Sequence, residues 1–160
     1  MNMNAKRLFD IAISFLGLIL LFPLMLFICL FIRKEDKGPI LYRGIRVGED
    51  GKLFNIYKFR TMVVDADKKG GPSTSDDDPR ITKIGKVLRK YKLDEIPQLI
   101  NVLKGEMSIV GPRPEVPQEV ATYSDEEKRI LLVKPGMTDY ASILFNNEGE
   151  ILKGSSDPHQ

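Results

Sequence analysis

Two adjacent acids, Asp94 and Glu95, stand in the stretch Lys92-Leu93-Asp94-Glu95-Ile96-Pro97-Gln98-Leu99-Ile100-Asn101-Val102-Leu103-Lys104-Gly105. Ile96, Leu99, Ile100 and Leu103 fall at helical spacing. Pro97 fits only a first turn, where its missing N–H costs nothing, and Gly105 suits a helix end. The pattern therefore predicts a helix that begins at Asp94 and Glu95, where the positive end of the helix dipole favours ionised carboxylates. Such a pair can hold a metal, attack an electrophile or simply cap the helix; this segment alone does not choose.

Cations are the second ingredient. Lys58 and Arg60 share one face of a predicted strand and suit either a phosphate or solvent. Arg113 is bracketed by Pro112 and Pro114, which stiffen its backbone; an arginine so placed suits bidentate phosphate recognition. The only histidine is His159 and the only cysteine Cys29. Acid–base or covalent chemistry must then fall to carboxylates, lysines or hydroxyls, and a bound metal would be a hard ion held by oxygen. No disulfide can form within the chain, which fits a reducing compartment.

The positioning elements follow from hydropathy and turn signals. The 160 residues carry a net charge of only +2 and suit one folded domain. Ile11 to Ile32 is uncharged, a run of roughly 22 residues and long enough to cross a bilayer. Pro23 sits in its middle, and Lys6-Arg7 and Arg33-Lys34 flank it. A proline break with both basic ends drawn to the cytoplasm predicts a re-entrant membrane helix over residues 1–34. Residues 35–160 then form a second, cytoplasmic domain, catalytic if its two acids do chemistry rather than cap a helix.

Within that domain, Ile40–Arg43 and Phe54–Arg60 flank Asp50-Gly51, a hairpin signal. Val64 to Pro79 is polar and reads as a solvated loop despite Asp76-Asp77-Asp78. Thr82 can cap a helix to about Tyr91, with Ile81, Ile84, Leu88 and Tyr91 on one side and Lys83, Lys86, Arg89 and Lys90 opposite. Such a basic amphipathic helix suits an anionic membrane surface. Ser124 and Glu127 form a capping box for a helix from Asp125 to about Val133, ended by Lys134-Pro135-Gly136. The fold class is α+β and mostly helical: a re-entrant helix, a β-hairpin, and amphipathic helices at the membrane surface.

With these pieces in place the chain resembles the bacterial sugar transferase family, small monotopic phosphoglycosyl transferases acting on polyprenyl phosphate. The matching stretches are Lys6-Arg7-Leu8-Phe9-Asp10, Tyr57-Lys58-Phe59-Arg60-Thr61-Met62 and Asp78-Pro79-Arg80-Ile81-Thr82. They continue with Leu93 to Leu99, Asn101 to Ser108, Val110-Gly111-Pro112-Arg113-Pro114 and Lys134-Pro135-Gly136-Met137-Thr138. The set runs in the family's order from about Lys6 to Tyr140, and that order makes it specific.

The resemblance implies transfer of a sugar-1-phosphate from a UDP-sugar to polyprenyl (undecaprenyl) phosphate, with release of UMP. This is the first membrane step of glycan assembly, at the cytoplasmic face of the bacterial inner membrane. It implies that Asp94 is the nucleophile and a Mg²⁺ ligand, with Glu95 its partner, and that a covalent aspartyl-phosphosugar forms. It implies phosphate contacts for Lys58, Arg89 and Arg113. The phospholipid membrane is an expected partner, a homodimer is left open, and nucleic acid is not expected. Phe22 replaces the serine that often precedes the membrane proline, and Asp139-Tyr140-Ala141-Ser142 replaces a glycine-containing run. Family members usually continue with further C-terminal helices, so a C-terminal segment is expected to be missing. A membrane-anchored scaffold would keep the apolar run but has no need of the two acids. A nucleic-acid module would leave the apolar run without a purpose.

Overall fold

The computed structural model describes residues 3–66 and 78–139. Helix α1, Met3–Asp36, is followed by strands β1, Leu41–Val47, and β2, Leu53–Phe59. Then come α2, Lys83–Lys90, and α3, Gln98–Lys104. Strand β3, Ser108–Val110, helix α4, Pro117–Val120, and strand β4, Gly136–Thr138, complete the order. The fold is α+β and mostly helical, with one long apolar N-terminal helix.

Strands β1 and β2 pair antiparallel in register from Leu41 opposite Phe59 to Val47 opposite Leu53. Asp50 and Gly51 both take positive φ, 56° and 75°, at the turn. An Asp-Gly pair adopts that conformation readily, so the predicted hairpin forms where the sequence places it. Thr82 caps α2 as expected: its Oγ1 accepts from the Gly85 N–H at 3.0 Å. Leu88 on α2 is buried in the main core with Phe59, Ile96, Leu99, and Ile28 and Ile32 of α1.

Helix α1 is continuous through Pro23 rather than broken there. The reason lies in how the helix is supported. Asp10, Ser14, Leu18, Leu21, Met25, Ile28 and Ile32 recur every three or four residues and turn inward, while Pro23 lies on the exposed side. The proline removes a hydrogen bond only on the face away from the domain. That outer face is apolar along its length, with Leu20 77% and Leu30 67% exposed.

Polar ties fasten both ends of α1 to the rest of the chain. Near its start, Asp10 accepts from the Ser108 hydroxyl at 2.8 Å and the Ile109 N–H at 3.1 Å. Lys6 also meets the Ser108 hydroxyl. Arg7 donates to the carbonyls of Val102 and Leu103, at 2.6 and 2.8 Å, at the end of α3. At the other end, Glu35 accepts from the Lys83 and Ile84 N–H groups at 2.7 and 3.2 Å, satisfying the start of α2. Asp36 forms a bidentate pair with Arg60.

Two local expectations change. The capping box forms, with the Ser124 N–H and hydroxyl donating to Glu127 at 2.7 and 2.8 Å, but the segment after it is a 3-10 helix, Glu127–Leu132. Ile130 and Leu132 within it and Val133 after it stay exposed, so little packing supports a longer α-helix. Of the polar loop's acids, Asp67, Asp76 and Asp77 lie outside the described residues, while Asp78 pairs with Arg80 at 2.6 Å.

Candidate active site

Asp94 and Glu95 do not begin α3. They lie in a separate 3-10 turn, Leu93–Glu95, and α3 starts only at Gln98, with Pro97 at the cap position. The chain enters this turn through Lys92, which takes the left-handed conformation at φ 55°. That residue turns the chain sharply after α2 and leaves the turn with the two acids in contact with that helix. Ile96 and Pro97 keep right-handed helical angles, so turn and helix run on as one tightened spiral.

The two carboxyls have different surroundings. Glu95 accepts from the Lys58 ammonium at 2.7 Å, both side chains being mostly buried. Burial pushes the Glu95 carboxyl up, but Lys58, Arg113 and Lys92 outweigh it and hold it below the usual glutamate range. Asp94 is buried, 9% exposed. Burial drives its carboxyl above the usual range; Lys58 and Arg89 oppose that through space, and Glu95 adds to it. Neighbouring acids whose environments push their proton affinities apart are suited to different tasks. Glu95 holds Lys58, and Asp94 is left as a poorly solvated carboxyl.

Three of the four expected phosphate ligands, Lys58, Arg89 and Arg113, act on this dyad. Lys58 comes from β2, Arg89 from the last turn of α2, and Arg113 from the exposed segment after β3. Arg60 is the correction. It is buried, and its guanidinium is engaged by Asp36 and by the carbonyls of Pro39 and Met62, at 2.5 and 3.0 Å. Two residues along a strand suffice to share a face, but the end of α1 claims Arg60 as a structural tie.

The sequence reading passed over Asn101. Fully buried on α3, it accepts from the Tyr57 N–H at 3.0 Å and donates to Asn55 O at 2.7 Å and Glu106 at 2.8 Å. It joins α3 to β2 beside Lys58 and so fixes the strand that carries the lysine against the turn that carries the acids. The available signal was a polar residue at a core-facing position among Ile100, Val102 and Leu103.

This constellation sits on stretches that run in one family's order, and the sequence profile of the bacterial sugar transferases matches residues 1–155. The chain belongs to that family. It is 40% identical over 159 residues to exopolysaccharide production protein ExoY of Sinorhizobium fredii, across 90% of this chain and 70% of the relative. It is 42% identical over 158 residues to the undecaprenyl-phosphate galactose phosphotransferase of Salmonella typhimurium, across 89% of this chain and 33% of that one. It is 43% identical over 145 residues to the UDP-glucose:undecaprenyl-phosphate glucose-1-phosphate transferase of Klebsiella pneumoniae, across 89% of this chain and 31% of the relative. The chain thus spans most of ExoY and about a third of the two larger relatives.

No group of three or more His, Cys, Asp or Glu side chains able to hold a metal occurs among the described residues of this sugar transferase. Magnesium commonly takes one or two carboxylates and completes its shell with water and substrate phosphates. Asp94, an oxygen donor not tied to a lysine as Glu95 is, fits an ion that arrives with a diphosphate.

Behind Arg113, the sugar transferase carries a second acidic pair. Glu115 is pushed up to about 7, by burial and by the neighbouring Glu119 carboxyl, while Arg113 and Arg46 pull the other way. An acid raised in the folded state contributes stability below its unfolded value, near 4.3, and loses it as pH rises through the raised one. Glu115→Gln is therefore expected to stabilise the protein at pH 8 by about 1 kcal/mol, allowing for solvent screening, and to do little near pH 5. Thermal melts at the two pH values check this; equal effects at both would contradict a raised Glu115 carboxyl.

Proposed function

We propose that this chain transfers a sugar-1-phosphate from a UDP-sugar to polyprenyl phosphate at the cytoplasmic face of the bacterial inner membrane, releasing UMP. The observation that carries the reading is the buried Asp94 beside a Lys58-bound Glu95, with Arg89 near enough to act through space on Asp94 and Arg113 on Glu95. The names of the Salmonella and Klebsiella relatives support the acceptor and, in the second, the UDP-sugar donor.

The chemistry divides into two displacements at one phosphorus. The Asp94 carboxylate attacks the sugar-bearing phosphorus; the O–P bond to aspartate forms, the bridging P–O bond breaks, and UMP leaves with the electron pair. A phosphate oxygen of the polyprenyl phosphate then attacks the same phosphorus and frees the carboxylate. Both substrates are anions, so the cations do most of the work. Lys58, Arg89 and Arg113 offset charge repulsion and orient the diphosphate, in a partly buried site where such interactions gain strength. Mg²⁺ bound at Asp94 and the diphosphate would supply further charge neutralisation. Glu95 keeps Lys58 in place.

The test is a screen of UDP-sugars with detergent-solubilised protein, polyprenyl phosphate and Mg²⁺, measuring UMP. One sugar is expected to give turnover dependent on the lipid phosphate, and EDTA to abolish it without moving the melting temperature. UMP release from none of them, or full activity in EDTA, would count against the proposal.

For topology, the support comes from α1. Its two ends, Asp10 and Asp36, bind the same folded unit. A helix spanning the bilayer would leave them on opposite sides of it, where one folded unit could not hold both. The reading is a helix that enters the membrane with its outer apolar face and leaves on the side it entered. Single cysteines at Asn4 and Lys37, in a Cys29→Ser background, are expected to be shielded from an impermeant reagent in intact cells and labelled after permeabilisation. Labelling of one site from outside would replace this with a spanning helix.

A further inference from the structure

Resting on the membrane reading above, we infer that the corner where α1 ends and α2 begins is a recognition surface for the headgroups of anionic phospholipids. Glu35 makes this corner. By accepting from the Lys83 and Ile84 N–H groups, at 2.7 and 3.2 Å, it sets the first turn of α2 against the last turn of α1. The cations of both helices then gather at one place. Arg33, Lys34 and Lys37 come from the α1 end and Lys83 and Lys86 from α2, with Lys90 one turn further on; all six are exposed.

The acids in the same corner do not cancel that charge. Glu35, which accepts from the α2 amides, is one negative charge against six cations, and Asp36 pairs with the Arg60 guanidinium, whose pull holds its carboxyl below the usual aspartate range. On α2, Lys83, Lys86 and Lys90 fall on one side of the helix, beside Val87 and Tyr91, which are 47% and 62% exposed. Opposite them, Leu88 is sealed in the core. Apolar side chains among lysines on an outward helix face suit a helix lying at the level of lipid headgroups.

The surface is continuous with the apolar face of α1. Phe27, Leu30 and Phe31 are exposed immediately before Arg33 and Lys34. If that face is in the acyl region, the cations that follow it lie at phosphate depth. Each cation there favours contact with the negative leaflet by about fivefold. A neutral, zwitterionic surface offers no comparable partner, so the occupant is the anionic phospholipid leaflet itself.

The experiment reconstitutes the full chain in vesicles of phosphatidylcholine with a minority of phosphatidylglycerol. Flotation first establishes association with the bilayer; the lipids retained by protein gently extracted from it are then counted by native mass spectrometry. Wild type is expected to retain phosphatidylglycerol several-fold above its bulk share, and raised salt to reduce that excess. Lys83→Gln/Lys86→Gln/Lys90→Gln should float equally well but retain lipid at nearly the bulk ratio. Lys52→Gln/Lys128→Gln, which removes exposed lysines elsewhere, should behave as wild type. Bulk-ratio retention by wild type, or an undiminished excess in the triple variant, overturns the inference while leaving the membrane reading intact. A wild-type chain that fails to float overturns both.

Discussion

Asp94→Asn is expected to lose transfer by roughly a thousandfold or more, the scale seen when a covalent nucleophile is removed, while its melting temperature holds or rises. The two halves of this result have separate causes. The amide cannot form the bond to phosphorus and is a weaker metal ligand. The structural half follows from the burial of Asp94, which lifts its carboxyl above the usual range. An acid so raised contributes stability below its unfolded value and loses it as pH rises through the folded one, so its ionisation is a cost to the fold. Replacing it by a neutral group of the same size removes that cost, a trade of stability against activity often met at catalytic sites. Incubation with a UDP-sugar alone should label wild type with sugar phosphate and leave the variant unlabelled. Near-wild-type turnover, an adduct mapped to Glu95, or a large fall in melting temperature would each show that Asp94 has been given the wrong role.

What the sequence made legible was local. Thr82 capping α2, the Asp50-Gly51 turn and the Ser124–Glu127 box each need only a few neighbouring residues, and each forms as read. The site's composition was also legible, because Asp94-Glu95 and the Arg113 between prolines stand out as residue types at fixed spacing. What was not legible depends on distant partners. Arg60 and Asp36 are 24 positions apart, and nothing in the strand pattern announces that the arginine turns towards the end of the long apolar helix. Glu35 reaches across 48 positions to Lys83, and Asn101 across 44 to Tyr57.

The start of α3 failed for a different reason. Ile96 keeps the helical rhythm and Pro97 keeps helical angles, so periodicity runs unbroken across a change from 3-10 turn to α-helix. The continuity of α1 through Pro23 is the same lesson with the sign reversed. A proline reads as a break until the domain beneath the helix is known to support its other side.

Gly136→Ala is expected to be among the most destabilising single substitutions, lowering stability by about 3 kcal/mol and the melting temperature by roughly 10 °C. Strands β3 and β4 pair in parallel, and their link to the segment bearing Arg113 is backbone against backbone: Gly136 N–H donates to Pro112 O at 2.8 Å and Gly111 N–H to Thr138 O at 3.1 Å. A Cβ on Gly136 would lie 2.6 Å from the Gly111 Cα and closer still to its N and O. No side chain can swing aside, so the two main chains must part. Pro112 then moves, and Arg113 with it, away from Glu95 and the diphosphate. The surviving folded fraction should show a raised KM for the UDP-sugar as well as reduced stability. Gly51→Ala gives the contrast. Its Cβ would meet nothing within 4 Å, but the residue holds φ at 75°, so only left-handed strain of about 1–2 kcal/mol applies, with no effect on KM. Melts and steady-state kinetics on both variants separate the two costs. If Gly136→Ala melts as wild type, or lowers stability without touching KM, the close approach of Gly111 and Gly136 does not position Arg113.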